Sequence, residues 1–168
     1  PGWYTSYTPY QPEVAQGRLE MLLNFQQMVV DFTGMDIANA SLLDEGTAAA
    51  EAMGLSDRLN KSDSNLVFVS ENCHPQTIDV IQTRAEPMGL KVIVGDEDKV
   101  MSQLKEDLVC GILQYPGTLG DIKDPSESIS KIHKKNGKAI LACDLLSLAK
   151  LKTPRELGAD IAVGSSQR

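Results

Sequence analysis

The sequence predicts an α/β fold with a mostly parallel sheet, from a repeating pattern in residues 66–163. Five short apolar runs lie there, each bounded by polar, Gly or Pro residues: 66–69, 90–94, 108–113, 138–143 and 160–163. Helical stretches separate them near 75–88, 99–106 and 125–137. Strands buried on both faces are apolar throughout, and intervening helices provide the crossovers that parallel pairing needs. The chain has 168 residues, enough for one domain with a sizeable core.

The residues before these strands are predicted to form an extended arm and two helices and no strand. Residues 1–13 are interrupted by prolines, which remove backbone donors and fix φ, so this segment is predicted to be an extended arm. Residues 16–32 have apolar side chains at helical spacing, and Gly34 is a suitable stop. A second, Ala-rich helix is predicted after residues 41–46, running through 47–53, with a polar link at 60–65.

Charge and cysteine content exclude several classes of protein. The formal net charge of −7 argues against a general binder of nucleic acid or anionic membranes, since either would need a basic patch. No apolar stretch is long enough to span a membrane. The three cysteines are widely spaced and form no CxxC pair, so neither a disulfide framework nor a structural metal site is expected, and a reducing compartment fits better.

The chain is expected to be a piece of a longer protein. It begins with Pro1-Gly2, and it has no basic-then-apolar start of the kind that signal peptides have. Its fifth predicted strand ends almost at the C-terminus with no closing helix, so the predicted sheet is unfinished.

Ligands of open parallel sheets bind at the carboxyl ends of the strands, which here are residues 70–74, 114–118, Asp144 and 164–168. Asp144 could cap a short helix at 145–149 or face a cationic ligand group, and spacing slightly favours the cap. His74 could stack on a planar ligand or satisfy its own turn, and the residues do not decide between the two.

The start of the second helix could in principle bind a phosphate through its free N–H groups. Asp44 and Glu45 already place negative charge there and would repel a phosphate dianion, so self-capping is the better interpretation. No GxGxxG or GxxxxGK[ST] motif occurs, which removes the main support for a nicotinamide dehydrogenase or a P-loop enzyme.

The extended arm is rich in aromatic residues. Trp3, Tyr4, Tyr7 and Tyr10 are half of the eight aromatic residues in the chain, interleaved with prolines and without an apolar period. Such a segment could pack on its own domain, or it could reach another subunit or domain and line its pocket. Physical reasoning gives the two interpretations similar weight.

Taken together, the motifs resemble the glycine cleavage system P-proteins, the glycine decarboxylases. The resemblance covers essentially the whole chain and is closest to the first half of the single-chain form. It is carried by residues 2–13 (GWYTSYTPYQPE), 16–20 (QGRLE), 39–52 (NASLLDEGTAAAEA), 73–79 (CHPQTID), 82–85 (QTRA) and 164–168 (GSSQR).

This resemblance implies part of a fold-type I, aminotransferase-like large domain of a pyridoxal-phosphate enzyme. Residues 1–15 would be the arm and residues 16–168 the incomplete α/β domain. The family's chain has two related halves, and only the second carries the Schiff-base lysine. By position, Gln167 occupies that lysine's place here, and an amide cannot form an imine.

The other site residues are also implied by position. Asp144 matches the carboxylate that pairs with the pyridine nitrogen, and His74 matches the ring-stacking residue. Both would be vestigial in a half that has lost its lysine and its phosphate site. The arm would then contribute residues to the active site of the other half, and these are Tyr4, Tyr7, Tyr10, Gln11 and Glu13.

The function implied for the parent protein is the pyridoxal-phosphate-dependent decarboxylation of glycine, with transfer of the aminomethyl group to the lipoyl arm of the H-protein. A homodimer of the full chain is expected, soluble in the bacterial cytoplasm or the mitochondrial matrix, with neither nucleic acid nor membrane as a partner. The alternative is a non-catalytic assembly module that supports the other half's active site. The segment would be catalytically inactive alone in either case.

Overall fold

The computed structural model describes residues 16–39 and 41–167. The predicted arm, residues 1–15, and with it the five arm residues expected to reach an active site, lies outside the described residues. The described part of the chain opens with a long helix, α1 (Gln16–Thr33), followed by α2 (Glu45–Leu59). Gly34 ends α1 with φ +71°, and its N–H donates to the Val30 carbonyl oxygen at 2.8 Å.

Five parallel strands follow, joined by helices: β1 (Leu66–Ser70), α3 (Pro75–Ala85), β2 (Lys91–Gly95), α4 (Glu97–Gln103), β3 (Cys110–Tyr115), α5 (Ser126–His133), β4 (Lys138–Cys143), α6 (Pro154–Leu157) and β5 (Ile161–Val163). Short 3-10 helices lie at Glu86–Met88 and Leu145–Ala149. The sheet order is β2-β1-β3-β4-β5, with every pairing parallel. The predicted α/β class and parallel sheet are therefore confirmed.

The strand order determines where a crevice can form. After β1 the chain crosses to β2 on one side, and then returns to place β3 on the other side. In open α/β sheets a ligand crevice forms where the strand order reverses in this way, at the carboxyl ends of the strands. The residues after β1, β3, β4 and β5 meet at this edge.

The sheet is covered on both faces by two apolar clusters. One packs α2 and α3 against the sheet, with Met53, Val69, Ile81 and Ile112 among its members. The other lies on the opposite face and includes Phe68, Leu113, Ile132 and Leu141. Burial on both faces explains why the central strands are apolar throughout. The three cysteines are free and buried in these clusters.

Several element boundaries differ from the predicted ones, and tertiary packing explains two of these differences. The run predicted at 108–113 forms a strand at Cys110–Tyr115, since Gln114 and Tyr115 are buried at its end despite being polar. The helix α2 continues beyond the predicted segment to Leu59 and buries seven residues against the sheet and α3.

The short helix α6 was not predicted from the sequence. It is held by a capping box, in which Thr153 Oγ1 accepts from the Glu156 N–H and Glu156 Oε2 accepts from the Thr153 N–H. The Thr-x-x-Glu spacing is the signal that identifies such a start.

A buried carboxylate joins three elements behind the crevice. Glu97, at the start of α4, is 6% exposed. Its Oε1 accepts from Ser70 Oγ at 2.9 Å, and its Oε2 accepts from Ser128 Oγ at 2.8 Å. Lys123 Nζ lies 3.8 Å from Oε2. The end of β1, α4 and α5 are thus connected through one side chain.

Candidate functional site

Four polar side chains meet at the carboxyl edge of the sheet, each placed there by the end of an element. Glu45 is the first residue of α2, and His74 directly precedes α3. Gln114 is the penultimate residue of β3, and Asp144 directly follows β4. We call this set the edge cluster.

Strand alternation places Gln114 and Asp144 on the same face of the sheet. Ile112, two residues before Gln114, packs in the cluster formed by α2 and α3, and side chains two apart in a strand share a face. Gln114 is paired in register with Ala142, two residues before Asp144. Both side chains therefore belong to the face on which Glu45 starts α2.

His74 satisfies the turn between β1 and α3. Its Nδ1 lies 2.9 Å from Thr118 Oγ1, and Thr118 Oγ1 in turn donates to the Asn72 carbonyl oxygen at 2.9 Å. The other ring nitrogen, Nε2, lies 3.9 Å from Glu45 Oε1. The loop after β3 is thereby tied to the loop after β1. The predicted stacking role of His74 stays a prediction.

Two carboxylates of this edge serve as helix caps. Asp144 Oδ1 accepts from the Leu146 N–H at 3.2 Å, as the capping interpretation predicts. Asp44 Oδ1 accepts from the Thr47 N–H at 2.7 Å at the start of α2. That hydrogen bond lowers the pKa of Asp44, so this carboxylate stays charged near neutral pH.

Glu45 is half-buried, and this burial raises the pKa of its carboxyl group. His74 and the Gln114 side chain lie close enough to oppose the increase, whereas the negative charge of Asp144 adds to it. The carboxylate of Glu45 is therefore poorly stabilised by the residues around it.

Two buried oxygens of the edge cluster, Glu45 Oε1 and Gln114 Oε1, receive no hydrogen bond from the part of the chain that the structure describes. Buried polar atoms are paired in the great majority of cases, so each exception needs a physical reason. The sequence places Gln114 in the strand-end segment 114–118 but assigns no role to it. A polar residue ending an otherwise apolar buried run was the signal available for it.

The position of Gln167 is given by the segment after β5, the strand beside β4. The Gln167 backbone N–H donates to Ser165 Oγ at 3.2 Å. The segment runs close to β4 because Gly164 lies against the Cys143 carbonyl group. The vestigial roles predicted for Gln167, His74 and Asp144 stay predictions.

The edge cluster does not fit the phosphate of pyridoxal phosphate. A phosphate needs donors, which free N–H groups at a helix N-terminus would supply. At α2 the Thr47 N–H is already bonded to Asp44, and Glu45 adds a second negative charge and an unpartnered acceptor. Acceptors and negative charge therefore stand where the phosphate would need donors.

Replacing Glu45 by Gln is expected to raise the melting temperature at pH 7. A carboxyl with a raised folded-state pKa stabilises the fold only while protonated, so this stability is lost as pH rises from the unfolded pKa through the folded one. Near pH 3 the carboxyl is protonated in both states, and the advantage of Glu45→Gln should disappear. Thermal unfolding followed by circular dichroism at both pH values measures the difference.

The matched control is Glu71→Gln, which neutralises an exposed carboxylate at the same edge of the sheet. It should leave the melting temperature nearly unchanged at either pH. A lower melting temperature for Glu45→Gln than for the unsubstituted chain at pH 7 would contradict the expected destabilising charge.

Two features are absent from residues 16–39 and 41–167, the part of the chain that the structure describes. No group of three or more His, Cys, Asp or Glu side chains is placed to hold a metal ion. No helix in this part of the chain is both long and apolar enough to cross a membrane.

The family match and the most similar curated proteins point to the same family. The family described as glycine cleavage system P-protein matches residues 1–168. Glycine dehydrogenase (decarboxylating) of Pelagibacter ubique is 84% identical over 168 residues, covering 100% of this chain and 17% of that protein. A glycine dehydrogenase (decarboxylating) 2 of Pseudomonas fluorescens is 58% identical, with the same shares covered. The chain thus spans 17% of the length of these curated relatives.

Solved structures agree with the fold. A crystal structure of glycine decarboxylase (P-protein) of the glycine cleavage system, in inhibitor-bound form, superposes with a TM-score of 0.82 at 34% identity, covering 96% of this chain and 37% of that one. A cystathionine γ-lyase from Micromonospora echinospora gives a TM-score of 0.66 at 17% identity, covering 87% and 37%. The second likeness shows the fold alone, and it agrees with the predicted α/β fold class.

Proposed function

Because the chain belongs to the glycine cleavage system P-protein family, we propose that it is a segment of a glycine dehydrogenase (decarboxylating) and lies in the half that does not carry out catalysis. The parent enzyme would decarboxylate glycine and transfer the aminomethyl group to the lipoyl arm of an H-protein. Pyridoxal phosphate, held elsewhere in the parent, would supply the electron sink for this decarboxylation. The bacterial cytoplasm or the mitochondrial matrix suits this function.

The observation that carries the proposal is the acidic start of α2. Asp44 and Glu45 oppose a phosphate at the position where a catalytic half would bind one, and Asp44 already occupies a helix N–H group. Gln167, at the place that the family resemblance assigns to the lysine, has no amine with which to bond the cofactor. Both features act against cofactor binding.

The contribution of this segment to catalysis would come from its arm. We place the boundary of the arm at residue 15 and that of the incomplete α/β domain at residues 16–168. Tyr4, Tyr7, Tyr10, Gln11 and Glu13 would reach the active site of the other half within a homodimer of the full chain.

A second candidate function is assembly without any part in the active site. Large apolar side chains are exposed around the carboxyl edge, and Leu43 is 86% and Leu119 95% exposed. Contiguous exposed apolar surface marks interfaces. The two candidates differ in what the arm does, and substitutions in the arm distinguish them.

Incubation with pyridoxal phosphate followed by borohydride reduction is expected to leave the 168-residue chain without a stoichiometric cofactor-modified lysine. The reason is that the chain offers no lysine at the place of Gln167 and no phosphate site at α2. Peptide mass spectrometry measures the modification, and pyridoxal without its phosphate serves as the matched control reagent. A single lysine modified by pyridoxal phosphate at full occupancy, and not by pyridoxal, would refute the non-catalytic assignment.

Substituting Tyr7 and Tyr10 by Phe in the full-length enzyme is expected to lower kcat/KM for glycine decarboxylation by about tenfold, the effect of one lost hydrogen bond in a transition state. The ring and its packing remain, so a purely structural arm would show unchanged kinetics. That result would favour the assembly function. Thermal unfolding of the same variant checks that its stability is preserved.

A further inference from the structure

We propose that the crevice bounded by Glu45, Gln114 and Asp144 is a binding site for a primary ammonium group. This inference goes beyond the function proposed above and does not depend on it, because it uses only the groups that line the crevice. The site would accept a compact cation with several N–H donors and reject phosphate.

Gln114 provides the first observation. Its side chain is 8% exposed, and its Oε1 atom receives no hydrogen bond from the described residues. Strand alternation directs this side chain to the face on which α2 begins, where its amide group is a hydrogen-bond partner of the Glu45 carboxyl group and opposes the increase in the pKa of that group. A buried acceptor without a donor destabilises the fold unless something supplies the donor. A ligand that donates a hydrogen bond to the Gln114 amide oxygen would therefore stabilise this arrangement.

Glu45 provides the second observation, on a different element. Its Oε1 atom is also buried without a donor among the described residues. His74 Nε2 lies 3.9 Å from this oxygen, beyond hydrogen-bond distance. The other nitrogen of that ring is engaged by Thr118 at 2.9 Å, so the ring is held in place by the turn. Two buried acceptors from α2 and β3, each without a donor among the described residues, thus lie at the same edge of the sheet.

The charge of the crevice decides the class of ligand. Glu45 and Asp144 contribute carboxylates and Gln114 contributes an amide oxygen, so acceptors and negative charge predominate. A phosphate would bring further acceptors and negative charge to this surface. An ammonium group brings three donors and a positive charge, and it can meet acceptors that arrive from three different elements.

Two sources can supply this group, a free primary amine or the side chain of a lysine elsewhere in the parent polypeptide. The chemistry of recognition is the same for both. The two sources are separated by testing the 168-residue chain with a small amine and the full-length protein with a cross-linking reagent.

The first experiment titrates the 168-residue chain at pH 7, ¹⁵N-labelled at glutamine, with methylammonium chloride. Saturable shifts of the Gln114 side-chain amide resonances are expected. Tetramethylammonium chloride, which has the same charge and no N–H donors, should give no such shifts, and neither should inorganic phosphate. Equal responses to the two ammonium salts, or a saturable response to phosphate, would overturn the proposal.

Two variants and one control show whether binding takes place in this crevice. Glu45→Gln and Gln114→Met each remove one acceptor at similar side-chain size, and each should weaken methylammonium binding by about tenfold or more. The Gln114→Met variant is labelled uniformly with ¹⁵N, and the resonances of His74 and Leu146 report binding instead. The control Glu71→Gln, at an exposed carboxylate of the same edge, should bind as the unsubstituted chain does. Unchanged affinity in Glu45→Gln, with circular dichroism unchanged, would overturn the proposal.

The second experiment treats the full-length protein with a water-soluble carbodiimide and searches for peptides joined through Glu45 or Asp144. An amide to a lysine side chain identifies the internal source, with loss of one water that the carbodiimide takes up. If no such peptide forms, methylammonium should bind the full-length protein in competition with labelling of Glu45. Absence of both the cross-link and the protection would refute an ammonium site.

Discussion

Replacing Glu97 by Ala is expected to lower the free energy of unfolding by about 3 kcal/mol, because two buried hydroxyl groups lose the acceptor that they share. Ser70 is 0% and Ser128 2% exposed, so water cannot readily replace the carboxylate. For a domain of this size the loss corresponds to a decrease in melting temperature of about 6 to 12 °C. Urea unfolding, monitored by circular dichroism, measures the change in free energy.

The control for this substitution is Glu127→Ala. Glu127 forms an exposed i,i+4 ion pair with Lys131, with 2.8 Å between Oε1 and Nζ, and such pairs contribute about 0.5 kcal/mol or less. If Glu97→Ala were no more destabilising than Glu127→Ala, the buried network would not hold the end of β1, α4 and α5 together as described.

Loss of the Glu97 carboxylate should also affect the edge cluster. Ser70 Oγ accepts from the Asn72 N–H at 3.2 Å, and Asn72 O accepts the hydroxyl of Thr118, which contacts His74. Loss of the carboxylate loosens Ser70 and thereby the turn that carries His74. Changed His74 ring resonances in a folded Glu97→Gln variant would report this coupling.

Replacing Gly164 by Ala is expected to destabilise the fold by about 2 kcal/mol, within the range for forcing an extra methyl group into a closed space. A Cβ at this position would overlap the Cys143 carbonyl oxygen and lie 3.3 Å from the Cys143 carbonyl carbon. These are backbone atoms, so no side-chain rotation can relieve the overlap. The segment 164–167 would have to move away from β4.

Gly17→Ala is the matched control, since a Cβ there meets nothing within 4 Å. Gly17 lies inside α1, where Ala is the better helix former, so this variant should be neutral or slightly more stable. Denaturant unfolding of both variants measures the contrast. Equal stability of the two would show that β5 and the segment after it are free to separate from β4.

The elements whose predicted bounds are confirmed are those that the local spacing of apolar residues specifies. The run at 138–143 is a strand with those bounds, Lys138–Cys143, because six residues buried on a central strand leave a continuous apolar signal. The helix predicted at 16–32 forms over Gln16–Thr33, ended by a glycine in the left-handed region. The acidic start of α2 was also predicted from the sequence, since Asp44 and Glu45 lie next to each other and next to the helix they begin.

The candidate site was only partly predicted, since its members lie on elements far apart in the chain. His74 and Asp144 were found because strand ends are the places where such sheets bind ligands. Gln114 lies in the strand-end segment 114–118, but nothing in the local sequence assigns it a role. Its meaning depends on the buried, unpartnered state of its Oε1 atom, and no local pattern records that state.

Periodicity and the charges on neighbouring residues predict the α/β class, the order of strands and helices along the chain, and an acidic start of α2 that opposes a phosphate. The sheet order, the burial of Glu97 between Ser70 and Ser128, and the approach of Glu45 to Gln114 depend on how distant segments pack. The physical reason is that desolvation and hydrogen bonding depend on which distant segments pack together, and a carboxylate that reads as exposed in the sequence becomes buried only when they do.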